Sequence, residues 1–293
     1  MARKSYFELN FAAVENYFDQ LKNKSFSERT LQEIFNRKRS DWKIPDTQNA
    51  TKFISFLQKK NVLFLTPFTD AENKKKIICS WKTKDDHTIM AGLKNGSYFT
   101  HYSALFMHQL TQQIPKTYYL NFEHYADMKP QSGKTKLSQA AIDRVFSKPQ
   151  RKSSVSYTFK DWNIFIINGK MTKKLGVLKH INDEQSYEYT DLERTLIDVA
   201  IRPVYAGGVF EVLEAYKKAR EKLDVRKLRN YLNKMDFIYP YDQVIGFYLE
   251  KAGYAEKYLN LFDIKKDFKF YLTYDIRNKE YSPRWQLYSP KGF

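Results

Sequence analysis

Asp191, Glu193 and Asp198 lie close together in the stretch YTDLERTLIDVAIRP (189–203), with Glu188 just before it. Carboxylates at such spacing could hold a divalent cation, which needs several oxygen ligands, and so could serve a metal-dependent nuclease. A helix can use the same residues differently. Thr190 followed three positions later by Glu193 predicts a capping box, in which hydroxyl and carboxylate each satisfy a backbone N–H at the helix start. Asp191 falls in the first turn, where the helix dipole favours an anion. Arg194 stands three residues after Asp191 and four before Asp198, so one guanidinium can bridge both. Leu192, Leu196, Val199 and Ala200 form an apolar stripe, and Pro203 limits the helix. Thr190, Asp191, Glu193, Arg194 and Asp198 are therefore expected to be structural, with no catalytic set and no metal.

Other candidate chemistry is thinner. QSGKTKLS contains Gly133, Lys134 and Thr135, the tail of a phosphate-binding loop, but Met128 stands where the first glycine belongs. A flexible basic loop is the better expectation there. The five histidines are scattered, and His101 and His108 lie about two helical turns apart, too far to share a metal readily. Cys79 is the one cysteine, which excludes a disulfide framework and a thiolate zinc site; alternating with Ile77 and Trp81, it predicts a buried strand thiol. Gly207 and Gly208 fall between helices, where a turn needs permissive backbone. No local nucleophile signature occurs, so neither an enzyme nor a cofactor is expected.

The elements that would position any site follow from composition and periodicity. The chain has 293 residues, comfortable for two domains, and 42% hydrophobic residues, enough for ordinary cores. A net charge of +17 implies an anionic partner, nucleic acid ahead of a membrane surface. An AT-biased coding sequence would also raise the lysine content. The start, MARKSYFELN, has no apolar signal core, and no apolar run approaches about 18 residues, so a soluble cytoplasmic protein is expected.

Residues 9–23 predict a helix through Phe11, Val14, Phe18 and Leu21. Ser27 is a plausible cap for a second helix with Leu31, Ile34 and Phe35 on its inner face, ending in the basic run Arg37, Lys38, Arg39. Asp46 or Thr47 would cap a third helix to about residue 60, with the stripe Ala50, Phe53, Ile54 and Leu57. NVLFLTPF, broken by Pro67, and IICSWK follow as strands. Three helices and a hairpin are the order of a winged helix-turn-helix, here assigned to residues 1–90. Its third helix would offer DNA Thr47, Gln48, Asn49, Thr51, Lys52, Ser55 and Lys59, since amides and hydroxyls read base edges. Lys43 and the wing-tip Lys74, Lys75 and Lys76 would neutralise phosphates.

KDDHTIMAGLKNGSYF (84–99) marks a boundary, and residues 91–293 form a mixed α/β second domain, making the whole chain α+β. A helix over 100–110 and a strand in KTYYLNF come first. A helix over 138–147 and three strands in SVSYTFKDWNIFIIN and KLGVLKHI come next. Helices are expected at 190–201, 208–222, 224–235 and 241–252, and a last strand in FKFYLTYD.

Three stretches of this domain, YFTHYSALFMHQLTQQIPKTYYL (98–120), YTDLERTLIDVAIRPVYAGGVFEVLEAY (189–216) and YPYDQVIGFYLEKAGY (239–254), resemble the AbiEi family of antitoxins. That family belongs to the type IV toxin–antitoxin class of abortive infection. Gln109 departs from the glycine expected after the histidine of the first motif, and Asp242 stands where relatives often carry histidine. The resemblance implies an N-terminal winged helix that binds inverted repeats in its own promoter and represses transcription. It implies a C-terminal antitoxin domain that counters a nucleotidyltransferase-like toxin without a stable complex. Promoter DNA is the expected partner, with RNA a further candidate and no membrane. The alternatives are an orphan DNA-binding regulator and a nucleic-acid-processing enzyme.

Overall fold

A computed structural model describes residues 4–123 and 137–293. Met128, Gly133, Lys134 and Thr135 of the basic loop lie outside the described residues. The chain begins with α1 (Tyr6–Leu9), α2 (Phe11–Gln20), β1 (Ser25–Ser27), α3 (Glu28–Lys38), α4 (Ala50–Lys59), β2 (Leu63–Asp70), β3 (Lys75–Trp81) and α5 (Asp86–Ala91). Next come β4 (Tyr98–Phe99), α6 (His101–Met107), β5 (Thr117–Glu123), α7 (Gln139–Phe146), β6 (Ser156–Phe159), β7 (Trp162–Gly169), β8 (Val177–Ile181) and β9 (Ser186–Thr190). The remainder holds α8 (Leu192–Ile201), a 3-10 turn (Pro203–Tyr205), α9 (Val209–Ala219), α10 (Val225–Met235), α11 (Tyr241–Lys251), α12 (Glu256–Leu259), β10 (Phe270–Tyr271), β11 (Lys279–Ser282) and β12 (Leu287–Pro290). The fold is mixed α+β. No helix among the described residues is long and apolar enough to cross a membrane.

Two compact units emerge. One comprises Met1–Tyr98 with Val155–Ile164 and Lys179–Glu188; the other holds Phe99–Ser154, Phe165–Leu178 and Tyr189–Phe293.

In the first unit the strand order is β1-β3-β2-β6, with β2 and β3 forming an antiparallel hairpin and β1 antiparallel on the far side of β3. The hairpin register sets Leu65 opposite Cys79 and Pro67 opposite Ile77. Pro67 does not break β2. The strand β6 pairs only with Thr69 and Asp70, so the missing N–H of Pro67 costs no ladder bond. The α-helices bury an aromatic core in which Phe18 stacks on Trp81 at 4.8 Å and Phe35 on Phe53 at 4.7 Å. Ser27 caps α3 as expected, its hydroxyl accepting from the Thr30 N–H. The third-helix cap is neither Asp46 nor Thr47. It is Asn49, whose Oδ1 accepts from the Lys52 N–H at 2.9 Å, because Pro45 and the turn after it keep 46–48 out of the helix. Cys79 is fully buried in β3, and burial, with Glu28 beyond it, pushes its thiol up to about 12.

The second unit builds its core from α8, α9, α10 and α11, with Trp285 closed against Gly246, where no Cβ would fit. The strand β7 lies beside β5, and β4 pairs in parallel with β9 through Phe99 and Tyr189. A separate three-stranded sheet, β10-β12-β11, was not foreseen beyond one strand in FKFYLTYD. The expected helix start at 190 is also corrected: Thr190 ends β9, and α8 begins at Leu192. Gly207 and Gly208, with φ of 83° and 103°, turn the chain into α9.

Candidate nucleic-acid interface

The helix α4 is polar on one arc. Thr51, Lys52, Ser55 and Lys59 are all exposed, and at 100° per residue they fall within about 100° of one another. Phe53, Ile54 and Leu57 are buried on the other side. Burial of a stripe containing a phenylalanine stabilises the packed helix by several kcal/mol, roughly 1.5–3 per large side chain, so the polar arc is held outward by the core. Thr47 is exposed and Gln48 half-buried, both in the turn before the helix, where the Gln48 N–H donates to the Pro45 carbonyl. Asn49 is exposed, but its amide oxygen serves the helix cap. Its amide nitrogen carries no such duty and is available for a base edge.

The lysines separate into two groups. Lys43, Lys52, Lys59 and Lys75 are exposed and have no carboxylate partner among the described residues. Lys43 sits in a left-handed turn, φ 53°, just ahead of Ile44. Lys74 and Lys76 differ. Lys74 pairs with Glu72 at 2.6 Å on the hairpin tip, both side chains being mostly exposed. Lys76 donates to the Leu93 carbonyl at 2.7 Å and covers the Tyr157 ring. Burial, helped by Lys94, lowers its ammonium below the usual range. The expectation that all three wing lysines reach outward therefore narrows to Lys75, with Lys74 shared. The hairpin tip is shaped by Asp70, whose Oδ1 accepts from the N–H groups of Glu72 and Lys74, an Asx turn.

The carboxylates of α8 are placed differently from the sequence expectation. Asp191, not Thr190, caps the helix, accepting from the Arg194 N–H at 2.9 Å. Thr190 uses its hydroxyl on Thr195 at 2.7 Å. Glu193 does not reach back to Thr190 but holds Lys227 of α10 at 2.7 Å and the Asp224 N–H at 3.2 Å. Lys227 also meets Asp191 at 3.0 Å, and Tyr231 donates to the same carboxylate. Burial alone would lower the Lys227 ammonium, yet hydrogen bonds to Glu193 and Asp191 hold it above its usual range. The Arg194 Nε pairs with Asp198 as expected, but its guanidinium does not bridge to Asp191; its Nη1 donates to Thr172 and to the Leu175 carbonyl. Glu193 to Ala200 are all buried, while Leu192 is only half-buried. Thr172, Lys227 and Tyr231, from other elements, went unnoticed, since nothing local in the sequence ties them to α8. No group of three or more His, Cys, Asp or Glu side chains among the described residues is arranged to hold a metal.

No family model matches the chain, and no curated protein does. Among solved structures, the RV2827C protein from Mycobacterium tuberculosis superposes with a TM-score of 0.51 at 9% identity, over 96% of this chain and 91% of that one. At that identity the likeness is one of fold alone.

Proposed function

We propose that this protein is a DNA-binding transcriptional repressor of the AbiEi-like antitoxin kind. The carrying observation is α4: a capped helix that buries Phe53, Ile54 and Leu57 and whose opposite arc offers Thr51, Lys52, Ser55 and Lys59 to a partner. The order α2, β1, α3, α4, β2, β3, with β1 laid on β3, is compatible with a winged helix and supports taking α4 as the reading helix. Gln48 and Thr51 would meet base edges near the helix start, and Lys52, Lys59, Lys43 and Lys75 would meet phosphates. Lys74 and Lys76 contribute less, being engaged with Glu72 and Leu93.

The antitoxin part rests on the stretches 98–120, 189–216 and 239–254. One departure from the family pattern has a local counterpart. Gln109 follows α6 with φ 59°, the left-handed helix-end conformation that favours glycine, so a glycine at this point of the pattern answers a backbone need. A reporter driven by DNA upstream of the gene tests the repressor. Expression of the chain should silence it, and Lys52→Ala with Gln48→Ala should restore it; an indifferent reporter contradicts the proposal. Rescue of cells expressing an adjacent nucleotidyltransferase-like frame, with the two proteins eluting separately on gel filtration, tests the antitoxin role.

A further inference from the structure

A cavity of about 480 Å³ lies wholly within the second unit. That size is in the range of small-molecule sites. Its wall carries the cations Lys170, Arg194 and Arg202 and one carboxylate, Asp198. Arg194 and Asp198 neutralise each other at 2.8 Å. Arg202, half-buried at the end of α8, has no carboxylate partner among the described residues; its guanidinium rests over the Tyr205 ring. Lys170, exposed at the mouth beside Asn168 and Ile238, donates to the Asp236 carbonyl and lies over the Phe237 ring. Arg202 thus faces the cavity without a carboxylate, and Lys170 with only Asp236 acting on it from a distance, so an anion is the complement.

Two acceptors point to the rest of the ligand. The Thr100 hydroxyl donates its one proton to Asp198 at 2.9 Å, so at 3.1 Å it accepts from His101 Nδ1–H. Burial, opposed by Asp198 and reinforced by Arg202 and Arg194, lowers this imidazole to about 4. It is neutral at pH 7, and the network assigns its Nε2 as a bare acceptor. The backbone at His101 is left-handed, φ 51°, an uncommon conformation for a non-glycine residue that packing must hold in place. Gln150 adds an Oε1 that is buried without a partner, while its Nε2 makes a long bond to the Ile201 carbonyl. An orphaned buried acceptor such as Gln150 Oε1 is costly and marks a missing donor. Flat rings complete the wall. Tyr274 is backed by Phe146 at 4.3 Å and Tyr239 by Phe270 at 5.9 Å, which fixes both as rigid platforms.

We propose that this cavity binds a nucleotide: Arg202 and Lys170 take the phosphate, the Tyr239 and Tyr274 rings take the base, and His101 and Gln150 accept from its exocyclic amine. The same chemistry could be presented by a free nucleoside monophosphate or by a nucleotide of single-stranded RNA. It is independent of the DNA reading, which rests on the first unit.

Isothermal titration of the full chain with AMP, CMP and UMP, with adenosine, with ribose 5-phosphate and with a 5′-phosphorylated adenine-rich RNA trimer tests this. AMP or CMP should bind with Kd below about 1 mM and about tenfold tighter than adenosine or ribose 5-phosphate, each of which lacks one half of the contacts. UMP, without the amine, should be weaker. If only the trimer binds, the nucleotide is one carried by RNA; if the monophosphate binds as well as the trimer, it is the free species. Arg202→Gln and, at the exposed mouth where folding is not at risk, Lys170→Ala should each weaken binding about tenfold. No binding by any of these probes, or binding that both variants leave unchanged, overturns the proposal.

Discussion

Arg194 and Asp198, one helical turn apart on α8, form an ion pair at 2.8 Å whose side chains are 3% and 10% exposed. The same i,i+4 spacing on α3 gives Arg29 and Glu33 a pair at 2.9 Å with 87% and 60% exposure. Burial decides what each is worth. Asp198→Ala removes the carboxylate paired with a buried guanidinium and should cost about 3–5 kcal/mol, whereas Glu33→Ala should cost less than about 0.5 kcal/mol. Urea midpoints of the two variants measure the contrast. Equal small losses would mean that solvent reaches Arg194.

The Asn49 cap yields a test that separates stability from recognition. Asn49→Ala removes the acceptor for the Lys52 N–H and should cost about 1 kcal/mol. Asn49→Asp should keep the cap and retain stability while placing a negative charge against DNA. Thermal melts and DNA titrations on both variants distinguish a cap from a base contact. If Asn49→Asp binds DNA as well as the parent, residue 49 is not at the interface.

Lys75 and Lys76 are neighbours with opposite surroundings, one exposed and one bonded to Leu93. Lys75→Ala should lower the slope of log affinity against log salt by about one unit, and Lys76→Ala by much less. The measurement is a salt series on each variant. A larger effect from Lys76 would mean that its bond to Leu93 opens on DNA.

His101 makes the second unit sensitive to acid. Its imidazole, held to about 4 chiefly by burial against an ordinary value of 6.5, binds its proton more readily in the unfolded chain. The stability it contributes is fully present above pH 6.5 and is lost as pH falls from 6.5 toward 4. The total loss is about 3 kcal/mol by linkage. His101→Asn, an exchange that the left-handed backbone tolerates, should flatten this part of the profile. Denaturant midpoints between pH 7.5 and 4.5 report the difference, and parallel profiles would show that His101 does not titrate on unfolding.

The legible and illegible parts of the fold differ in range. Ser27, α4's stripe and the hairpin around Cys79 were legible because capping and periodicity act over a few residues. The α8 cap was misplaced by one residue because Thr190 and Asp191 are equally good caps locally; β9, paired with β4 at Tyr189, runs on through Thr190. Lys227 and Tyr231 meet Asp191 across 36 and 40 residues of chain, and no spacing rule connects them. The cavity is illegible for the same reason, since His101, Gln150, Arg202 and Tyr274 come from separate segments. In the proposed interface the residue types were readable. What was not readable is which lysines the protein itself consumes.

The most direct test of the DNA-binding account is an anisotropy titration of the full chain with the duplex upstream of its own gene, beside a scrambled duplex, across a salt series. The account predicts binding to the native duplex at physiological salt at least about a hundredfold tighter than to the scrambled one. It also predicts that Gln48→Ala and Lys52→Ala each lose about 1–3 kcal/mol on the native duplex. Equal affinity for both duplexes, or binding that neither substitution weakens, would contradict it.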